Sequence, residues 1–474
     1  MNRMLTNLLL LLLVISSNAL AQYDVVIKGG RVIDPETRLD AIRNVGIAGG
    51  RIVAISAEEL KGREIIDATG LVVSPGFIDL HSHGITNKEN EYQSHDGVTT
   101  ALELEGGVHD IAGWFERRSG KALINYGASA DFGSYRALSI RALAGASEKE
   151  LGEKSPYTSL TDDEVKSTIE KLTTQLNDGA IGIGIPIGYI PKATREEIYR
   201  IYQFAAEKQV PIFSHIRDGK AWAVQQAIAD AMLTGASLHI VHLNSSALDE
   251  ISLAMEMITS AQRKGFDITT EMYPFTAAST SLESALFDEG WKEKWNISYG
   301  DLQWVATGER LTEQTFNEYR KKGGIVIIHL MKPDWIRAGI ANPITMIASD
   351  AMPYAPLAHP RTAGTFARVL GKYVRDEKVI SLAEAISKMT LMPAQRLERI
   401  APAARFKGRI QVGCDADITV FNPATVTDKA TFEAGLKFSD GVQFVLVNGV
   451  AVVRKGNSVA DVYPGKPLFG KLKR

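Results

Sequence analysis

Residues 76–83 read GFIDLHSH, an apolar β-rich run that ends in His81-Ser82-His83. Runs of similar style recur along the chain as TTALELE (99–105), INYGASADF (124–132), AIGIGIPIGY (180–189), PIFSHI (211–216), SLHIVHL (237–243), DITTEMYPF (267–275) and TMIASD (345–350). Between several of them lie stretches such as TREEIYRIYQFAAEKQ (194–209) and GKAWAVQQAIADAMLTG (219–235), whose apolar residues recur at three and four. Strand then helix, repeated about eight times over roughly 250 or more residues, is the pattern of a (β/α)8 TIM-type barrel. The expected fold is therefore α/β, with the barrel over residues 74–403. Residues 276–342 are long for one connection and contain another strand-like run, GGIVIIHLM (323–331). They read either as an inserted cap or as the true seventh strand displaced.

Outward from the barrel, both ends of the chain change character. DVVIKGGRVID, RNVGIAGGRIVAISA and EIIDATGLVVS before residue 74, then ADITVFNP and VQFVLVNGVAVVRKG after residue 403, are short Val- and Ile-rich runs broken by glycine turns. Too few strands stand at either end to bury a face alone, so one composite β-sandwich from residues 22–73 and 404–474 is expected. Residues 1–21, MNRMLTNLLLLLLVISSNALA, have a charged start, an apolar stretch too short to span a bilayer and a small-x-small site ending at Ala21. They read as a secretory signal peptide, so a soluble protein, periplasmic or secreted after cleavage and no longer bound to a membrane, is expected.

The chain has 474 residues, 53 Lys and Arg against 55 Asp and Glu, and one cysteine. Near-balanced charge gives no reason to expect nucleic acid as a partner. A single cysteine excludes an internal disulfide and any thiolate metal cluster, and Cys414 in VGCDADITVF reads as a small buried residue at the start of a strand.

In a barrel the chemistry collects where strands end. His81 and His83, two apart on one strand, point the same way and can reach one ion; His215, His242 and Asp350 end three later strands. Four histidines and a carboxylate that converge on barrel closure form a nitrogen and oxygen site suited to zinc. His95, His109, His239 and His329 occupy no comparable strand end and read as structural.

These motifs resemble the amidohydrolase superfamily, and within it the D-aminoacylase and N-acyl-D-glutamate deacylase group. The resemblance covers nearly the whole chain after residue 21. It rests on VVSPGFIDLHSH, SHIRDG (214–219), EMYPFTAAST (271–280), MIASDAMPYAPLAHPRTAGTFARVLG (346–371), KMTLMPAQRL (388–397) and KGRIQVGCDADITVFNPATV (407–426). It implies one or two zinc ions, hydrolysis of the amide bond of N-acyl-D-amino acids by metal-activated water, and Asp350 as the general acid and base. The group's metal-bridging cysteine at the end of strand two is missing from GVTTALELEGG. Glu105 is the candidate bridging ligand in its place, with Glu103 in reserve, because a carboxylate also bridges two cations. The group's lysine after the strand-six histidine is replaced by Leu243 and Asn244 in VHLNSS.

An N-acyl amino acid carries a carboxylate, and Arg361 is the candidate to grip it bidentately, with Tyr273 and Tyr189 as hydroxyl donors. Arg217 and His359 are candidates for orienting ligands or loops. Two other readings stand beside this one. A cyclic-amide hydrolase of the dihydroorotase or hydantoinase kind commonly bridges its metals with a carboxylated lysine at the end of strand four, and AIGIGIPIGY offers none. A non-catalytic binding protein on a decayed barrel conflicts with retention of all five ligand-type residues. Oligomeric state stays open.

Overall fold

The computed structural model describes residues 23–474, so the signal-peptide reading of residues 1–21 lies outside the described residues. The middle of the chain forms eight parallel strands: β1 (Phe77–Asp79), β2 (Val98–Val108), β3 (Asn125–Asp131), β4 (Ile183–Pro186), β5 (Pro211–His215), β6 (Ser237–Ile240), β7 (Ile268–Met272) and β8 (Thr345–Ile347). Each strand pairs with its neighbour in sequence order, and each lies in one of the eight runs quoted above except β2, which extends beyond residues 99–105 at both ends. The strands are buried on both faces because helices such as Arg195–Lys208 and Lys220–Thr234 cover them outside, which is why they read as apolar runs.

The seam of the barrel lies between β1 and β8. The two strands themselves do not pair; the residues just beyond them do. The His83 amide donates to the Ala351 carbonyl at 2.8 Å, and the Ala351 amide donates to the His81 carbonyl at 3.3 Å. The Ser349 amide donates to Asp79 Oδ1 at 2.9 Å, and its hydroxyl also donates to Asp79.

GGIVIIHLM belongs to an insertion rather than to the barrel. Its strand, Ile325–His329, pairs antiparallel with Ala277–Ser281 and Leu302–Trp304 in a separate three-stranded sheet. That sheet has its own core of Leu282, Phe287, Trp291, Leu302, Trp304 and Phe316. An apolar run of this length suits either setting, and only its partners decide.

The two ends of the chain join in one nine-stranded sheet, with Val72–Pro75 lying between Tyr23–Asp34 and the antiparallel Ile418–Phe421. The sheet curls on itself. The Ile52 amide reaches the Cys414 carbonyl at 2.9 Å and the Ala416 amide reaches the Gly50 carbonyl at 2.9 Å, closing around Val25, Val45, Ile52, Val73, Ile418 and Leu446. The last residues depart from the expected boundary. Amides of Leu468, Gly470 and Arg474 donate to carbonyls of Tyr126, Gly179 and Asn177 at 2.7, 2.8 and 3.0 Å, so the tail runs along the barrel. PGKPLFG (464–470) lacks strand alternation, and its Phe469 packs edge-on against Phe115 at 4.5 Å between ring centroids.

His95 sits where the barrel meets this sheet, stacked on Phe438 at 3.8 Å and 2.9 Å from Ser458 Oγ. Burial pushes its pKa down to about 4. A depressed folded-state value means that the unfolded chain takes the proton first. The His95 contribution is therefore complete above about pH 6.5 and is lost as pH falls toward 4. With metal chelated, His95→Gln is expected to lose roughly 2 kcal/mol less stability than the parent between pH 7 and pH 4.5, read from denaturant midpoints. Equal losses would refute the assignment.

Candidate active site

The polar side chains meet at the carboxyl ends of the barrel strands. His81 and His83 follow β1, Glu105 lies in β2, His215 ends β5, and His242 and Asp350 follow β6 and β8. They form two groups, His81 with His83 and Asp350, and Glu105 with His215 and His242; within each group the ligand atoms lie inside 4.8 Å of one another. Glu105 stands between them. Its Oε2 is 3.1 Å from His81 Nε2 and 3.0 Å from His83 Nε2, while its Oε1 is 2.8 Å from His215 Nδ1 and 3.1 Å from His242 Nε2. Asp350 Oδ1 lies 3.5 Å from the Nε2 atoms of both His81 and His83.

This arrangement fits metal ions. His81 Nε2 and His83 Nε2 face each other at 3.2 Å, and His215 Nδ1 and His242 Nε2 at 3.0 Å. Ligands about 2.0–2.1 Å from a tetrahedral zinc are separated by about 3.3 Å, the spacing seen here. Three of the rings are held from behind. His81 Nδ1 is 2.7 Å from Glu271 Oε1, His83 Nδ1 is 2.7 Å from Glu103 Oε2, and His242 Nδ1 is 3.1 Å from Ser246 Oγ. Such partners fix the ring and turn the opposite nitrogen's lone pair inward.

The charge balance points the same way. Burial disfavours protonation of His81, yet Asp350, Glu105 and Glu271 outweigh it and hold its pKa well above the ordinary histidine value. Burial opposes protonation of His83 too, and Glu103, Asp350 and Glu105 overcome it. A buried cluster this acidic demands positive charge, which divalent ions supply. His242 and Asp350 sit at φ of 34° and 53°, a left-handed backbone that non-glycine residues adopt only where the surroundings impose it.

Strand alternation alone did not separate Glu105 from Glu103. Glu105 lies between the two histidine pairs, whereas Glu103 backs His83 and accepts the Gly106 amide at 3.1 Å. Glu271 was missed in the sequence. It is 1 % exposed and sits on β7, where a glutamate inside an otherwise apolar barrel strand requires a partner. That requirement was the available signal. Its other oxygen lies 3.5 Å from His239 Nε2, and His239 Nδ1 meets Thr269 Oγ1 at 2.8 Å.

Arg361 is 1 % exposed, with Nη2 2.8 Å from Asp350 Oδ1 and donating to the Ser279 carbonyl at 3.3 Å; Nε and Nη1 have no partner among the described residues. Burial works against the charge on Asp350, but Arg361 and the histidines hold its pKa below the ordinary carboxylate value. Tyr273 lies against Arg361. Its ring lies 4.7 Å from the Arg361 guanidinium, and its hydroxyl is buried without a partner. Tyr189 donates to or accepts from Thr280 Oγ1 at 2.8 Å and packs its ring on His215. His359 accepts the Arg361 amide at 3.1 Å and donates to the Ala277 carbonyl at 2.9 Å, tying the arginine to the insertion. Arg217 instead donates to the Ala193 carbonyl at 2.6 Å. A cavity of about 310 Å³ opens over the cluster, lined on one side by His83, Glu105, His215, His242 and Asp350.

A family model described as the amidohydrolase family matches residues 162–459. An N-acyl-D-glutamate deacylase of Alcaligenes xylosoxydans xylosoxydans is 30% identical, over 90% of this chain and 93% of that protein. A D-aminoacylase of the same organism is 28% identical, over 91% and 94%. A crystal structure of N-acyl-D-glutamate deacylase from Bordetella bronchiseptica, complexed with zinc and a phosphonate mimic of the tetrahedral intermediate, superposes with a TM-score of 0.82 at 25% identity, covering 94% of this chain and 100% of that one. The chain belongs to the amidohydrolase family.

Glu271→Gln is expected to weaken divalent-metal binding by about 10- to 100-fold, because it loosens the ring of His81. Competition with a chromophoric chelator measures it, and unchanged affinity in the folded variant would rule the role out.

Proposed function

We propose that the protein is an exported, zinc-dependent deacylase that hydrolyses N-acyl-D-amino acids to a carboxylate and a free D-amino acid. The observation that carries this reading is Arg361, a buried guanidinium with two unpartnered nitrogens, placed 2.8 Å from Asp350 at the edge of the histidine and carboxylate cluster. A carboxyl-bearing substrate answers to Arg361, and an amide bond one carbon away from that carboxylate then falls beside the cluster. The D configuration rests on what the similar proteins act on. Export rests on the character of residues 1–21.

The residues that would hold one or two zinc ions are His81, His83 and Asp350 on one side, His215 and His242 on the other, and Glu105 between them. When bound there, zinc supplies Lewis acidity, activating water and stabilising negative charge that develops on an amide oxygen. Asp350 does the proton work. It takes a proton as the water oxygen bonds to the carbonyl carbon, and delivers it to the nitrogen as the C–N bond breaks. Its depressed pKa keeps it ready to accept that proton at neutral pH. A substrate carboxylate on Arg361 competes with Asp350 for the guanidinium and so frees Asp350 for this task. His359 and the Tyr273 ring hold Arg361 in place, and Tyr189 closes the cavity over His215.

The cyclic-amide alternative finds no support at β4, where Ile183–Tyr189 carries no lysine. The decayed-barrel alternative finds none in a cluster whose members and backing carboxylates are all present.

Assay of N-acetyl-D-amino acids with the zinc-loaded protein is expected to show amine release that a chelator abolishes; no metal-dependent release would sink the proposal. Asp350→Asn is expected to lower kcat by about 10²- to 10⁴-fold. Arg361→Lys is expected to act chiefly on KM, because an ammonium cannot reproduce the two-point grip.

A further inference from the structure

The cavity over the cluster has a second wall that the chemistry above does not use. It is built by the insertion. Ala278 and Ile328 face each other across the antiparallel pair of strands, and Leu330, Leu286 and Trp295 continue the same lining. Ile328 is buried, while Leu286, Trp295 and Leu330 remain partly open to the cavity. The wall stands next to Arg361, because Ser279, the neighbour of Ala278 on the same strand, accepts a hydrogen bond from its guanidinium. A carboxylate held by Arg361 would bring the carbon that bears it, and the side chain on that carbon, near these apolar residues.

Among the described residues, every lysine that lines the cavity already has a carboxylate partner. The lysines lining the cavity are Lys220 and Lys294, both at its partly exposed margin. Lys220 Nζ is 3.3 Å from Asp249 and Lys294 Nζ is 3.5 Å from Asp218. The end of β6 contributes none: Leu243 is buried in the core and Asn244 donates to the Tyr273 carbonyl at 3.2 Å. A second carboxylate on the substrate would be desolvated against this wall without a partner, whereas a hydrocarbon group would cover apolar surface now open to water.

We infer that the substrates this site prefers carry apolar side chains, aliphatic or aromatic, on their D-amino-acid portion, and that Leu286, Trp295, Ile328 and Leu330 select them. The inference rests on the deacylase reading and names its substrate class. N-acetyl derivatives of D-leucine, D-methionine and D-phenylalanine, compared with those of D-glutamate, D-aspartate and D-lysine on the zinc-loaded protein, test it. Values of kcat/KM for the apolar set are expected to exceed those for the charged set by about 100-fold. Hydrolysis led by a charged substrate overturns this inference and leaves the deacylase reading standing; hydrolysis of none of the six overturns both. Leu330→Lys, and Leu286→Lys in case the first variant misfolds, locate the selector. In a variant with unaltered circular dichroism, the D-glutamate to D-leucine ratio of kcat/KM is expected to rise at least about 10-fold. A ratio unchanged in both folded variants refutes the assignment of this wall.

Discussion

Glu105 is the buried charge on which four imidazoles converge. Each of its oxygens serves one pair of histidines, at 3.0–3.1 Å on one side and 2.8–3.1 Å on the other. The strands that carry these residues, β1, β2, β5 and β6, are thereby fixed relative to one another from inside the barrel. Glu103 and Glu271 extend the arrangement one layer outward by setting the rings of His83 and His81. The acidic lining is the feature that makes the site a receptor for cations rather than a set of well-packed histidines. Of these carboxylates, Glu105 contacts both histidine pairs, whose nitrogens approach each other at 3.2 Å and 3.0 Å.

The barrel was legible because its strands are buried on both faces and therefore stand out as short apolar runs between amphipathic helices. Its ligands were legible because each polar residue falls where such a run stops. What could not be read followed from pairing, which is non-local. Ile325–His329 has the same composition as a barrel strand, and only its antiparallel partners, Ala277–Ser281 and Leu302–Trp304, place it outside the barrel. The tail after residue 464 follows the β-rich run in sequence but has no alternation to hold it there, and it pairs with Tyr126 and Gly179 instead. Among side chains, residue type located Tyr273 near the site but not its packing, with the ring 4.7 Å from the Arg361 guanidinium. Glu271 was hidden by the opposite problem, since a buried glutamate is recognised by a partner that lies 190 residues away.

Labour within the molecule is divided by segment. The barrel strands supply the chemistry, and one continuous insertion supplies both the support for Arg361 and the apolar face beside it. Ser279 and Ala277 bind Arg361 and His359 through backbone carbonyls, which impose no requirement on their own side chains. The remaining residues of the wall touch no metal ligand through a hydrogen bond. Their identity can therefore vary while the geometry around the carboxylate is kept.

The seam between β1 and β8 carries one more consequence. It is closed by residues 79–83 and 349–351, which are themselves the ligands and their immediate neighbours, and some 270 positions separate the two edges. Closing a contact of this span costs more chain entropy than closing contacts between neighbouring elements. The ring of strands and the ligand set are completed by the same closure. A chain that has not finished folding lacks one of the two groups that hold metal, so metal capture reports on completion of the barrel, and a bound ion bridging the seam would act as a clasp that slows its reopening.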